Sequence, residues 1–128
     1  GSAKDSRVAL DIKSHLSINT NQTFFDLTGK TSLPDVVDLL SMTNIVLTND
    51  SGLMHIAAAV EAPLVALYGP SSPEFTPPLS KKSKVIRKES GYKKVREGNT
   101  KEGYHPSLVN IKPKEVLEEL SSLIGEDE

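Results

Sequence analysis

The stretch "NIVLTNDSGLMHIAAAVEAPLVALYG", Asn44 to Gly69, decides the fold. "NIVLT" (Asn44 to Thr48) is β-branched and apolar on both faces, as a strand covered by helices on both sides should be. An alanine-rich run starts near Ser51, with Leu53, Ile56, Ala57 and Val60 at i, i+3, i+4 and i+7, which predicts a helix with those residues inward. "PLVALYG" (Pro63 to Gly69) then reads as a second buried strand. A buried strand, a polar turn, a helix and another buried strand form the repeating unit of a parallel α/β sheet.

The flanks extend that pattern. Val8, Ile12 and Leu16 recur at spacing four and predict a helix over about Asp5 to His15. "TFFDL" (Thr23 to Leu27) reads as a short buried strand. "GKTSLPDVVDLLSM" carries a helix start, with Ser32 at the cap, Pro34 in the first turn and Asp35 near the positive end. Val36, Val37, Leu39 and Leu40 supply its apolar face. "PSSPEFTPPLS" (Pro70 to Ser80) has four prolines and is expected to be irregular. "KVIRK" (Lys84 to Lys88) reads as a further strand, and "GYKKVREGNTKEGYHPSL" (Gly91 to Leu108) as a long polar loop. Pro113 opens a last helix with Val116, Leu117, Leu120, Leu123 and Ile124 inward.

The order predicts an α/β fold, a Rossmann-like open parallel sheet with flanking helices. A chain that opens on a helix lacks the strand that founds such a unit. A single truncated domain over residues 3–128 is therefore expected, with Gly1-Ser2 read as an expression scar. The exposed edge strand of a truncated sheet is expected to pair with a second copy.

Composition narrows the function. The 128 residues, 37% hydrophobic and 25% charged, suit one domain with a packed core rather than a disordered chain. No run of about 18 apolar residues is present, so no membrane-spanning helix is expected. The absence of cysteine excludes disulfides and thiolate metal sites and fits a reducing compartment. Lys81, Lys82, Lys84, Arg87, Lys88, Lys93, Lys94 and Arg96 form a basic run, whereas the C-terminal end is acidic. Such a run suits an anionic ligand or membrane surface; its plainer reading is a solvated loop and strand edge. Aromatic residues are not interleaved with it, so nucleic acid is not expected as a partner.

"TNDSG-LMH" is where the chemistry concentrates. In open α/β sheets ligands bind at the carboxyl ends of the strands, and this stretch is such an end turning into a helix. The N–H groups of Asp50 through Leu53 are expected to be free there, at the positive end of the helix dipole. Gly52 has no Cβ and lets a phosphate approach the backbone. Ser51 and His55 are four apart, hence on one face, and His55 lies outside the inward set. Plainer readings remain for each: Asp50 as a cap, Gly52 as a steric need, His55 as an exposed helical histidine. A Ser-His-Asp hydrolase fits worse, because G-x-S-x-G is missing and groups so close on one helix start cannot form the relay. Zinc also fits poorly, with no H-E-x-x-H and no third ligand. An anion cradle is the better physical reading, and Gly69, Ser71 and Ser72 of the next strand's loop are placed to close over it; the plainer reading of that loop is a proline-stiffened surface segment.

"TNDSGLMHIAAAVEAPLVALYGPSSPEFTPPLS", followed by "VIRK", "GYKKVREG" and "EGYHPSLVNIKPKEVLEEL", closely resembles the lipopolysaccharide heptosyltransferases, two-domain GT-B glycosyltransferases. The resemblance runs from about "DLTGKTSLPDVVDLL" to Leu123 and covers most of the chain. It implies that the chain is part of the C-terminal, donor-binding half. It further implies inverting transfer of heptose from ADP-heptose to a heptose of the lipopolysaccharide inner core, at the cytoplasmic face of the inner membrane, without cofactor or metal. Asp50, Ser51, Gly52 and His55 match the family's donor-binding motif: Ser51 and Gly52 would offer N–H groups to the pyrophosphate, His55 a side-chain donor. Asp50 would cap the helix or bind a sugar hydroxyl. Lys30 and Thr31 match a loop lining the adenine. The family's catalytic aspartate, its ribose-binding acid and its phosphate-binding lysine match nothing in this chain, so it is expected to be catalytically silent alone and to bind ADP weakly or not at all. The rival readings are a GT-B nucleotide-sugar epimerase and a non-catalytic module whose basic run docks an anionic surface.

Overall fold

The computed structural model describes residues 1–16, 23–88 and 105–125. The chain divides into two compact units, Gly1–Val36 and Val37–Glu128.

In the first unit a short 3-10 turn (Ala3–Asp5) leads into α1 (Ser6–Ser14), at the place the spacing of Val8 and Ile12 predicts. "TFFDL" does not form a strand, and Phe25 is 76% exposed. A strand needs a partner for its backbone; here the local polar chemistry prevails instead. The Thr28 N–H and hydroxyl both donate to Asp26 Oδ1, at 2.9 and 2.6 Å, and the Lys30 N–H donates to the Leu27 carbonyl. These bonds close a turn, and the two from Thr28 hold the Asp26 carboxyl below the usual carboxylate range. Gly29 completes it at φ +68°, with its N–H on the Gly1 carbonyl and Ala3 Cα 2.9 Å from where a Cβ would stand. Helix α2 (Leu33–Ser41) begins as the sequence implies. The Asp35 N–H donates to Ser32 Oγ at 3.3 Å and the Ser32 N–H to Asp35 Oδ2 at 2.8 Å, a reciprocal capping box.

The second unit holds a parallel sheet of three strands in the order β1 (Val46–Asn49), β2 (Leu64–Tyr68), β3 (Ser83–Arg87). Helix α3 (Gly52–Ala59) joins β1 to β2, and α4 (Pro106–Val109) and α5 (Pro113–Gly125) follow β3. The central strand β2 is buried on both faces. Leu64, Ala66 and Tyr68 point to one side, where Met54, Ala57, Ala58 and Ala62 cover them. Val65 packs on the other side with Ile86, Val116 and Leu123. Alternation at period two feeds both cores from one strand.

Two inward faces differ from expectation. Helix α3 buries Met54, Ala57 and Ala58, whereas Leu53 is exposed and Ile56 only half-buried. Its small alanines let the whole helix lie close to the sheet, which leaves room for one long side chain, Met54, beneath it. Helix α5 buries Val116 and Leu123, while Leu117 is 61% and Ile124 54% exposed, because the sheet covers a narrower stripe than the apolar pattern offers. The end of the predicted polar loop also carries structure. His105 caps α4, its Nδ1 accepting the Ser107 N–H at 3.2 Å; residues 89–104 lie outside those described. No helix among the described residues is long and apolar enough to cross a membrane.

Candidate functional site

Parallel register brings the carboxyl ends of the three strands level. Asn49 is opposite Leu67, and Tyr68 opposite Arg87. The two segments read as ligand-binding therefore leave the sheet at one edge: Asp50 to His55 from β1, and Gly69 to Ser72 from β2.

Ser51 is the N-cap residue of α3, extended at φ −153° and ψ 171°, and its side chain makes no capping bond. The N–H groups of Ser51, Gly52 and Leu53 have no protein acceptor among the described residues. The Asp50 N–H is the exception to the expected row of free donors, since it donates to the Leu67 carbonyl at 3.3 Å and so prolongs the sheet by one bond. Open space surrounds Gly52 where a Cβ would stand, consistent with a backbone that a ligand can approach. His55 is exposed on the first turn of α3.

Asp50 does not cap the helix. Its Oδ2 accepts the Thr76 hydroxyl at 3.0 Å, which ties the β1 turn to the proline-rich loop. Thr76 is itself held on two further sides: its N–H donates to the Ser72 carbonyl at 3.2 Å, and the Tyr68 hydroxyl donates to its carbonyl. Tyr68 is fully buried, and its hydroxyl also reaches Met54 Sδ at 3.3 Å. Burial, with the nearby Asp50 charge second, pushes the Tyr68 pKa up to about 12. Neither Thr76 nor Tyr68 stands out in the sequence; a threonine before Pro77 in an aperiodic loop gives no pattern to read.

The loop residues divide by role. Ser71 is half-buried and belongs to this edge. Ser72 is 1% exposed and accepts the Glu74 N–H at 3.2 Å, so it shapes the loop rather than facing a ligand. Gly69 is buried against α4, with Leu108 Cγ 2.8 Å from the place of a Cβ. Lys30 and Thr31 belong to the first unit. Lys30 is exposed with its Nζ on the Asp26 carbonyl at 3.0 Å, and Thr31 is half-buried. Among the described residues no three His, Asp or Glu side chains converge to hold a metal ion.

The chain matches the model of glycosyltransferase family 9 (heptosyltransferase) over residues 1–105. It is 53% identical over 127 residues to lipopolysaccharide heptosyltransferase 2 of Salmonella typhimurium, covering 99% of this chain and 36% of that protein. Among solved structures it is similar to E. coli ADP-heptose lps heptosyltransferase II, with a TM-score of 0.86 and 47% identity, over 99% of this chain and 35% of that one. It is also similar to a glycosyl transferase family 9 protein from Veillonella parvula, with a TM-score of 0.82 and 28% identity, over 98% of this chain and 35% of that one. The chain thus spans just over a third of the length of these relatives.

Proposed function

The chain belongs to glycosyltransferase family 9, the heptosyltransferases, and on that premise we propose that its Asp50–His55 turn and Gly69–Thr76 loop form the diphosphate side of a nucleotide-sugar donor site. The sheet and its flanking helices have the GT-B architecture of that family's structures. The donor is ADP-heptose, and the acceptor is a heptose of the lipopolysaccharide inner core. The observation that carries this reading is the D-S-G-x-x-H stretch, set at a strand end with the Ser51, Gly52 and Leu53 N–H groups open.

In this reading those N–H groups bind the pyrophosphate, aided by the helix dipole, and His55 donates to a further phosphate oxygen. Asp50, an acceptor, takes a sugar hydroxyl. Ser71 closes the diphosphate side. During transfer the acceptor oxygen forms a bond to the anomeric carbon as the bond from that carbon to the phosphate oxygen breaks. Negative charge then grows on the departing diphosphate, where fixed N–H donors stabilise it. The base that takes the acceptor proton comes from outside this chain, so the chain alone turns over no ADP-heptose. The family match favours transfer over epimerisation. The protein works in the cytoplasm, and its exposed Lys81 and Lys82 bring it to the anionic inner-membrane surface.

Calorimetric titration of ADP, ADP-heptose and a uridine analogue tests the site. The adenine nucleotides bind more tightly than the uridine one, and His55→Ala weakens them about tenfold, as loss of one bond to a charged group should. Unchanged affinity in His55→Ala removes His55 from the site; a uridine preference refutes the donor assignment.

A further inference from the structure

We propose that Thr76 is a positioning residue that holds the Asp50 carboxylate off the start of α3, keeping the Gly52 N–H clear for the donor diphosphate. The inference rests on the donor-site reading above and concerns a residue outside the D-S-G-x-x-H stretch.

An aspartate followed two residues later by an open N–H ordinarily folds back on it as an Asx turn. Asp50 stands in that relation to Gly52, at a helix start whose dipole attracts a carboxylate. Yet the Gly52 N–H has no acceptor among the described residues, and Asp50 Oδ2 is engaged by Thr76 Oγ1 at 3.0 Å. The Thr76 hydroxyl has one hydrogen and two acceptors in reach, Asp50 Oδ2 and the Ser72 carbonyl at 3.2 Å. The charged acceptor forms the stronger bond.

The hydroxyl cannot drift to follow a moving carboxylate. Its backbone N–H is fixed on the Ser72 carbonyl, its carbonyl receives the Tyr68 hydroxyl, and both Ser72 and Tyr68 are buried. Asp50 is anchored too, through its own N–H on Leu67. Two anchored backbones thus meet through the bond between the Thr76 and Asp50 side chains. Remove the hydroxyl, and the donors at the start of α3 become the best available to Asp50. The carboxylate then occupies the place of a phosphate, and the ligand must displace it.

The test pairs amide hydrogen exchange at Gly52, read by NMR, with calorimetric titration of ADP. Thr76→Val is expected to slow Gly52 exchange about tenfold and to weaken ADP about tenfold. Thr76→Ser restores both. In an Asp50→Ala background Thr76→Val should alter neither, because the competing carboxylate is gone. Should valine disturb the loop, Thr76→Ala removes the same hydroxyl with less bulk. Unchanged Gly52 exchange in the hydroxyl-free variants overturns the proposal. So does an ADP loss of equal size with and without Asp50, which would make Thr76 a loop tether only. If the unaltered protein prefers the uridine nucleotide, the donor reading fails, while Gly52 exchange still decides the relation between Thr76 and Asp50.

Discussion

Gly69 and Leu108 are pressed together: a Cβ on Gly69 would stand 2.8 Å from Leu108 Cγ and 3.1 Å from its Cδ1. Gly69 follows β2 directly, where a flexible loop glycine is the natural reading. Its φ is not in the left-handed region, so its role is steric: it lets α4 approach the carboxyl end of the strand. Gly69→Ala is expected to cost about 1–2 kcal/mol, as small-to-large changes at packed sites do. Urea denaturation measures it. Leu108→Ala in the same molecule should recover most of the loss, whereas an additive double variant would refute the contact.

Glu61 carries φ +58°, in a region that costs a side chain about 1 kcal/mol or more. It follows α3 in a Schellman motif: the Ala62 N–H donates to the Ala57 carbonyl and the Glu61 N–H to the Ala58 carbonyl, both at 3.0 Å. The geometry asks for glycine, and Glu61 supplies only its backbone. Glu61→Gly should stabilise the fold by about 1 kcal/mol, seen as a rise of a few degrees in thermal midpoint. A lowered midpoint would mean that the Glu61 side chain contributes something its exposure does not suggest.

The sequence exposed what is local. The start of α2 at Ser32, the β1-turn-α3 unit and the four residues of D-S-G-x-x-H are each read from neighbours in the chain. What depends on distant partners was hidden. "TFFDL" has the apolarity of a strand, but no pattern within it reveals that Asp26 will close a turn with Thr28. The alanine-rich α3 offers a weak apolar contrast around its circumference, so its spacing predicts Leu53, Ile56, Ala57 and Val60 inward where the structure buries Met54, Ala57 and Ala58. Thr76 lies 26 residues from the aspartate it holds, in a loop without periodicity. Strand–turn–helix chemistry is local, whereas the support around it is tertiary.

Among the described residues the basic run divides, and with it the expected membrane contact; Lys93, Lys94 and Arg96 lie outside them. Lys84 Nζ is 2.7 Å from Ser122 Oγ and 3.9 Å from Glu119, and Lys88 pairs with Glu115, so both lean on α5. Lys81 and Lys82 precede β3 and are exposed. Each lysine near an anionic bilayer contributes about 1 kcal/mol. Replacing Lys81 and Lys82 with Gln should therefore cut sedimentation with anionic vesicles at low salt by tenfold or more, whereas Lys84→Met should leave it unchanged. Equal binding of the unaltered protein to neutral and anionic vesicles would remove the membrane contact from this surface.

Tyr68 sets an alkaline limit to stability. Its pKa is raised from 10.0 to about 12 in the fold, first by burial and then by the Asp50 charge. Between those values the unfolded chain releases the phenolic proton and the native protein keeps it. The unfolded state then binds fewer protons, and stability falls as pH rises. The contribution is fully present below pH 10 and is lost by about pH 12, a change of up to about 3 kcal/mol. Tyr68→Phe should flatten the stability profile across that window, even though it also removes the bond to Thr76 and lowers stability at neutral pH. Urea midpoints at stepped alkaline pH, with phenolate absorbance followed in parallel, make the comparison. A profile of equal slope in the two proteins would show that Tyr68 ionises as freely in the fold as out of it.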